Sequence, residues 1–177
     1  NEPSWMTELR KKALKLTETL EMPKPDKTKL RKWDFDTFKQ HHTTGDAYTQ
    51  LTDLPKSVKE IIDVENSENL IIQHNNELAY TQVSDQAKHD GVIIEGLSEA
   101  LVNHSDLVQK YFMTKAVDVD EHRLTALHTA LVNGGIFVYV PKNTVVEPPI
   151  QSVVLHDDEQ ASFYLSLIHI SEPTRPY

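Results

Sequence analysis

Two short patterns of histidine and carboxylate are the places where this sequence could hold a metal ion. His41-His42 precedes Asp46, and Glu121-His122 precedes His128. Neighbouring histidine side chains diverge unless a loop folds around the ion, and the helical zinc motif needs its two histidines at i and i+4. His122 and His128 are six residues apart, on different helical faces. We therefore expect a polar loop around the histidine pair, His122 on the surface, and His128 as a satisfied polar group near an apolar face.

Other common catalytic groups are missing from the sequence. The chain contains no Cys, which excludes disulfides, thiolate metal sites and cysteine nucleophiles within these residues. Asn133-Gly134-Gly135 is not a phosphate loop, because its glycines follow a predicted helix instead of opening one. The nine scattered histidines give no Ser-His-Asp order. The residues alone therefore offer no catalytic, cofactor-binding or metal site.

Composition narrows the class of protein and its partners. The 177 residues carry a net charge of -9, and 38% of them are hydrophobic. Lysine and arginine cluster at 10–15 and 24–32, a pattern typical of solvated surfaces, and the acidic total argues against nucleic-acid binding. The longest apolar run, Ile136–Val140, is far shorter than a membrane span. We expect a soluble globular protein, and because the chain begins with Asn1 we expect it to be internal to a longer product.

Apolar spacing predicts that helices dominate the first three quarters of the chain. The predicted helices cover 3–20, 53–62, 97–112 with a break near His104-Ser105, and 118–132. Gly134 and Gly135 are expected to stop the last of these helices, and Ser105 and Asp106 to cap the second half of the third. The side chains expected on buried faces are Trp5, Leu9, Ala13, Val58, Ile61, Ile62, Leu107, Val108, Phe112, Leu124, Leu127 and Leu131.

The strands are predicted from β-branched runs between turn residues. A hairpin is expected with strands at 69–73 and 77–83 around His74-Asn75-Asn76, because paired asparagines tolerate positive φ. Gly91–Ile94 and Ile136–Val140 are expected to be buried strands, the second covered on both faces and ended by Pro141. Beyond it, Val145-Val146 and 151–156 are predicted short strands divided by tight turns, a pattern typical of a β-helix or solenoid.

An aromatic group stands in the connection between the first two helices. Leu30, Trp33, Phe35 and Phe38 recur there among lysines and aspartates. Such a group can form a binding surface. We favour a connector whose large side chains are buried against the core.

The last thirteen residues differ from the rest. Residues 165–177, LSLIHISEPTRPY, resemble the in-frame translation of a transposase-type sequencing adapter, so we interpret them as a non-native tail and exclude them from the fold. The alternative is a genuine strand at 165–170 with a disordered end. On the first interpretation the first β-helix strands lack a neighbour, and we expect residues 1–164 alone to be poorly behaved.

Four segments make the sequence resemble the SufB/SufD family of the Suf iron–sulfur cluster assembly system. They are EPSWMTELR at 2–10, MPKPDKTKLRKW at 22–33, HSDLVQKYFM at 104–113 and VDEHRLTALHTALVNGGIFVYVPKN at 119–143, the last being the most specific. The resemblance covers residues 1–163. It implies an α+β fold, with a helical and mixed N-terminal domain over 1–134 and the first strands of a truncated right-handed parallel β-helix over 135–164.

The same resemblance implies a function. It is that of a non-enzymatic, cytoplasmic scaffold subunit that supports iron entry and cluster formation with SufB and the ATPase SufC, while a cysteine desulfurase delivers sulfur. The full complex assembles the iron–sulfur cluster transiently. The family's metal-binding and SufC-contacting residues lie in its C-terminal half, so none is assigned here. A carbohydrate-active β-helix enzyme and a generic protein-interaction module remain the alternatives.

Overall fold

Two three-stranded sheets face each other at the centre of the protein, with helical layers outside both. The computed structural model describes residues 2–37, 39, 47–63, 65, 67–147 and 149–171. Its regular elements are the helices α1 (Ser4–Leu16), α2 (Lys56–Lys59), α3 (Asp85–His89), α4 (Leu97–Asn103), α5 (Ser105–Tyr111) and α6 (Arg123–Leu131), and the strands β1 (Leu70–His74), β2 (Glu77–Gln82), β3 (Ile93–Gly96), β4 (Gly134–Val140), β5 (Gln151–Leu155) and β6 (Leu165–Ser171).

Each sheet combines one antiparallel and one parallel strand pair. The first has the order β2-β1-β5, and the second has the order β3-β4-β6. The hairpin strands β1 and β2 pair antiparallel, whereas β5 joins β1 in parallel. In the second sheet β3 pairs antiparallel with β4, and β6 joins β4 in parallel from Gly134↔Leu165 to Val140↔Ser171. The fold is therefore α+β, as expected.

The central strand β4 is buried on both faces, as predicted for Ile136–Val140. Ile136, Val138 and Val140 pack with Ile71 of β1 between the two sheets. Phe137 points the other way, into the cluster formed with α1, α4 and α5. This alternation is the two-residue period of a strand. Pro141 follows the last paired residue, where the lost N–H costs no ladder bond.

The hairpin and the paired helices α4 and α5 also agree with the predictions. Asn75 has a φ of 56°, the left-handed conformation expected for a two-residue hairpin turn. α4 ends at Asn103 and α5 begins at Ser105, with Val108 and Phe112 buried. The Ser105 hydroxyl does not cap α5, because Ser105 is already the first residue of the helix. It accepts a hydrogen bond from Trp5 Nε1 at 2.8 Å.

The first two helices are shorter than predicted, and each differs in its buried face. α1 ends at Leu16 and buries Met6 together with the predicted Ala13. In α2 Val58 is buried, but Ile61, which was predicted to point inward, is 67% exposed. Leu54 takes the expected place of Ile61 under the first sheet, because the chain enters α2 through an extended Leu54-Pro55 pair.

The last helix differs most from its prediction. α6 begins at Arg123, so the acidic residues at 118–121 precede the helix instead of lining its first turn. Its fully buried side chains are Thr125, Ala126 and Thr129. The predicted stripe of Leu124, Leu127 and Leu131 is only half-buried. Since α6 packs against α1, small residues at the contact let the two backbones approach closely, which the leucine spacing does not reveal.

The prediction that the two glycines after α6 stop the helix was wrong. The last residue of the helix is Leu131, and Val132 after it is extended. Both glycines belong to β4. A Cβ on Gly134 would lie 2.4 Å from the backbone oxygen of Asn76. Gly135 has a φ of 145°, and a Cβ there would meet the backbone of Ser166. The glycines are needed because neighbouring backbones approach β4 closely.

Replacing Gly134 with alanine is expected to lower the free energy of unfolding by about 3 kcal/mol, since neither backbone can yield without breaking the hairpin contact. Urea denaturation measures this change. Gly96→Ala is the matched control, because its Cβ would lie 3.2 Å from the Leu78 Cβ, a side-chain contact that can adjust. A loss at Gly134 no larger than the loss at Gly96 would contradict the interpretation.

The chain beyond Pro141 forms strands only in part as predicted. β5 spans Gln151–Leu155, close to the predicted strand at 151–156. Val145-Val146 is irregular instead of a strand, and Val145 is 74% exposed. Residues 165–171 form β6, which agrees with the alternative of a strand there. The proposed boundary between residues 134 and 135 coincides with the start of β4, and strands from both sides of it pair within each sheet.

The aromatic connector was predicted to be buried against the core, but its tryptophan is exposed. Trp33 is 63% exposed and stacks on the half-buried ring of Phe35, with ring centroids 6.0 Å apart. Phe38 and the loop at 41–46, with its histidine pair, lie outside the described residues. Among the helices of the described ranges, none is long and apolar enough to cross a membrane.

Candidate functional site

Asparagines of the hairpin turn and of the start of β4 hold the loop that joins β5 to β6. Asn75 donates from Nδ2 to Asp157 Oδ1 at 2.9 Å, and its Oδ1 accepts from the Asp157 N–H at 3.0 Å. Its own N–H donates to the Leu155 carbonyl at 2.7 Å. The turn therefore fixes the beginning of this loop by both main-chain and side-chain bonds.

Asn133 fixes the other end of the same loop. Its side chain donates to the Ser162 carbonyl at 2.8 Å and accepts from the Tyr164 N–H at 2.8 Å. Its carbonyl accepts from Asn76 Nδ2 at 3.2 Å. We call these three asparagines, Asn75, Asn76 and Asn133, the asparagine corner. Asn75 and Asn133 bind the loop 156–164 where it crosses from one sheet to the other, and Asn76 joins the hairpin turn to Asn133.

Replacing Asn133 with alanine is expected to lower the free energy of unfolding by about 2 kcal/mol. The change removes the partners of two backbone groups in a partly buried place, and each loses its hydrogen bond. Urea denaturation measures the loss. Asn103→Ala is the control, since Asn103 is exposed and makes only a 3.4 Å contact to Glu95. Equal effects of the two variants would show that the corner does not stabilise the fold.

A histidine and a carboxylate lie side by side within this corner. His74 is 6% exposed, and its Nε2 is 2.9 Å from Asp157 Oδ1. On its other side Nδ1 is 3.5 Å from the Tyr48 hydroxyl. The hydrogen bond from Asn75, and then that from His74, hold the pKa of Asp157 below its usual range. The arrangement orients the imidazole and favours the ionised carboxylate.

The low pKa of Asp157 predicts a pH-dependent stability. A carboxylate with a lowered folded-state pKa stabilises the fold above its unfolded pKa and ceases to do so as the pH falls through the folded pKa. We expect the urea midpoint to fall more steeply below about pH 4 in the parent than in Asp157→Asn. Asp120→Asn is the control, because Asp120 is exposed and makes no hydrogen bond within the described ranges. A parent-like acid profile for Asp157→Asn would contradict the prediction.

A cavity lined in part by histidines lies between α5, α6 and β6. It has a volume of about 460 Å³, and its lining includes Tyr111, His122, His128 and His169. His122 was predicted to be a surface residue, but it has a structural role. Its Nδ1 caps α6 by accepting a hydrogen bond from the Thr125 N–H at 3.1 Å. Burial lowers the pKa of His128, which favours its neutral form and agrees with its predicted place near an apolar face.

The histidines of the cavity do not form a three-ligand group in the described part of the chain. No group of three or more histidine, aspartate or glutamate side chains in the described part of the chain could hold a metal ion. His122 and His128 line one cavity despite their spacing, but one nitrogen of His122 is already used by the cap. The histidine pair at 41–42 lies outside the described residues, so its predicted loop stays a prediction.

Each of the two sheets has an open edge on its parallel side. β5 and β6 are the outer strands of their sheets, and both lie at the parallel end. Val154 is 46% exposed and Leu167 is 70% exposed. An outer strand presents unpaired N–H and C=O groups that can pair with a further strand. These two outer strands could therefore accept a further strand.

The sequence contained only a weak signal for the asparagine corner. Asn75 and Asn76 were recognised as turn residues, but their partners lie 57 to 83 residues away along the chain. Asp157 lies just beyond the strand predicted at 151–156, and Asn133 directly precedes the two glycines. An asparagine before a double glycine, facing a second asparagine pair, is a usable hint, yet spacing alone cannot identify which segments meet.

Comparison with known proteins identifies the family. The sequence model described as "SufBD protein N-terminal region" matches residues 1–152. The Bacillus subtilis (strain 168) iron–sulfur cluster assembly protein SufD is 45% identical over 172 residues, which cover 97% of this chain and 39% of that protein. An iron–sulfur cluster assembly SufBD family protein of Staphylococcus aureus (strain USA300) is 27% identical over 182 residues, with the same two coverages.

A mycobacterial relative extends the comparison. The SufBD family protein of Mycobacterium tuberculosis (strain ATCC 25618 / H37Rv) is 28% identical over 183 residues, which cover 97% of this chain and 21% of that protein. The chain thus spans about two fifths or less of the length of these relatives. The Bacillus match supports the SufD type. This chain belongs to the SufBD family and corresponds to its N-terminal region.

Proposed function

We propose that the chain is the N-terminal part of a SufD-type scaffold subunit that takes part in iron–sulfur cluster assembly. The observation that carries the proposal is the 45% identity to the Bacillus SufD over 97% of the chain. The subunit is non-enzymatic and cytoplasmic, and it works in one complex with SufB and the ATPase SufC. The cluster is cargo that the whole complex assembles, supplied with sulfur by a cysteine desulfurase, and no residue of 1–164 holds it permanently.

We also propose that residues 135–164 begin a right-handed parallel β-helix after an N-terminal domain over 1–134. The support is the path of the chain, because β4, β5 and β6 alternate between two facing sheets. β5 lies parallel to β1, and β6 returns parallel to β4 with Gly134 opposite Leu165. Parallel stacking of strands that alternate between sheets is how a β-helix winds, and crossover connections favour the right hand.

We further propose that residues 165–177 are the non-native tail that their sequence indicates. β6 lies inside this segment, so the β4–β6 pair cannot support the β-helix if the segment is non-native. The parallel β1–β5 pair supports the β-helix in either case. Matches that cover 97% of the chain extend into the segment, which makes a direct test necessary. Sequencing the genomic locus across codon 164 provides it, and a native stop codon directly after Tyr177 would overturn the proposal.

Co-purification tests the proposed function. The complete gene product that contains this chain would be expressed with an affinity tag beside SufB and SufC of the same source. We expect all three to elute together at a fixed ratio from size exclusion, and iron–sulfur content to appear when the desulfurase and iron are supplied. A tagged product that recovers neither partner would overturn the scaffold assignment. Retention of both partners without any cluster would contradict only the proposed role in assembly.

A further inference from the structure

An exposed basic segment ending in a tryptophan is the surface feature that neither the core nor the asparagine corner uses. Residues 24–33 contain Lys24, Lys27, Lys29, Arg31 and Lys32 against the single acid Asp26, within a chain of net charge -9. Each of these four lysines is exposed. Trp33 closes the segment and exposes 63% of its surface. We call residues 24–33 the basic segment.

The charges of the basic segment are largely unused within the protein. Lys24 pairs with Glu21 at 2.8 Å, and both side chains are more than four-fifths exposed. Lys27, Lys29 and Lys32 make no ion pair or hydrogen bond in the described part of the chain. Trp33 belongs to none of the hydrophobic clusters that the described residues form. A buried connector would show neither feature.

The basic segment is nevertheless held in place at both ends. Before it, the carbonyl of Glu21 accepts from the Arg123 N–H at 2.9 Å. After it, Asp36 pairs with the Arg123 guanidinium at 2.5 Å. Asp34 accepts from the N–H groups of residues 36 and 37, and its pKa is lowered by the side chain of Thr37 and by these backbone donors. Both ends are thus fixed to the start of α6, so binding loses less conformational freedom than it would for a loose tail.

We propose that the basic segment docks an acidic segment of a partner protein, with Trp33 as the apolar anchor and the lysines as the charged rim. Tryptophan is enriched among the residues that contribute most to interfaces, and an exposed aromatic beside unpaired cations fits a partner that alternates carboxylates with apolar side chains. The inference goes beyond the proposed scaffold role and does not depend on it.

The charge distribution favours an acidic protein over two other occupants. A nucleic acid would bring a long row of phosphates past a chain that is strongly acidic outside the basic segment, which weakens its binding. A second copy would have to offer free acids in a matching place. Of the acids in and beside the basic segment, Glu21, Asp34 and Asp36 are already used by Lys24, by backbone donors and by Arg123, which leaves Asp26.

Fluorescence anisotropy with a defined peptide tests the proposal on the full 177-residue chain. The probe is a fluorescein-labelled peptide that alternates glutamate and leucine. We expect binding that weakens as salt is raised. We expect the Kd to rise about tenfold in Lys27→Ala/Lys29→Ala/Lys32→Ala, and by a similar factor in Trp33→Ala. Thermal melting of both variants should match the parent, because the changed residues are exposed.

Lys11→Ala/Lys12→Ala/Lys15→Ala is the matched control, since it removes equal charge from exposed positions of α1. An equal loss of affinity in this control would overturn the proposal, as would failure of the parent to bind the peptide. A labelled single-stranded oligonucleotide that binds the parent more tightly than the peptide does, and loses this binding in the basic-segment variant, would overturn the proposal and identify nucleic acid as the partner. A dimer in sedimentation velocity that the same variant abolishes would assign the surface to a second copy.

Discussion

Truncation of the chain after Tyr164 is expected to abolish its cooperative thermal unfolding. The truncation removes β6, which pairs with β4 along seven residues from Gly134 to Val140. It also removes Ile168 and Ile170, which are 8% and 6% exposed in the cluster around Phe137. Burying two isoleucines contributes about 5 kcal/mol, which is comparable to the whole stability of many domains. Circular dichroism melting and size exclusion of residues 1–164 measure the result.

A second truncation, after Ser171, distinguishes the effect of losing β6 from the effect of losing the residues that follow it. It removes residues 172–177 and leaves the described part of β6 intact. We expect it to melt like the parent. If the chain 1–164 is a monodisperse monomer with the parent's melting temperature, β6 does not contribute to the fold. That outcome would also contradict the expectation that the first β-helix strands need a neighbouring strand to be stable.

The elements predicted well from the sequence are those whose signals are local. The hairpin of β1 and β2 follows from β-branched runs on both sides of Asn75-Asn76. β4 follows from five consecutive apolar residues, which need cover on both faces. The break between α4 and α5 falls where two polar residues, His104 and Ser105, interrupt the apolar pattern. In each case the information lies within about ten residues.

The predictions that were wrong depended on which segments meet. The spacing of Leu124, Leu127 and Leu131 marks an apolar stripe on α6, but the approach of α1 buries the smaller residues beside it. Gly134 and Gly135 have the sequence pattern of a helix stop, yet the Asn76 and Ser166 backbones are what require them. Burial of Trp33 was inferred from its size alone. The structure leaves it on a basic surface, where size favours binding as much as packing.

The candidate site follows the same division. The absence of cysteine and of a phosphate loop could be stated from the sequence, whereas a role in assembly was implied only by the family resemblance. The asparagine corner could not be foreseen, because Asn75 meets Asp157 across 82 residues. A corner of this kind fixes one turn of chain upon the previous one. It therefore stabilises the stacking of strands on which the proposed β-helix depends.

Replacing Phe137 with alanine is expected to lower the free energy of unfolding by about 4 kcal/mol. Its side chain has no exposed surface, and it stacks on His104 with ring centroids 6.2 Å apart. Met6, Val108 and Ile170 belong to the same cluster, so the ring joins the N-terminal helix, the paired helices and both parallel strands of the second sheet. The cavity left by the ring cannot close without moving several elements together.

Phe35→Ala is the matched control, because it makes the same chemical change on a half-buried ring outside the core clusters. We expect it to cost less than about 1 kcal/mol in urea denaturation, and the melting temperature of Phe137→Ala to fall by about 8–16 °C. Equal losses in the two variants would mean that the helices and the second sheet do not share one core. The difference therefore tests whether residues before and after Gly134 fold as a single unit. That coupling is what allows the start of a β-helix to be stabilised by the helical layer that precedes it.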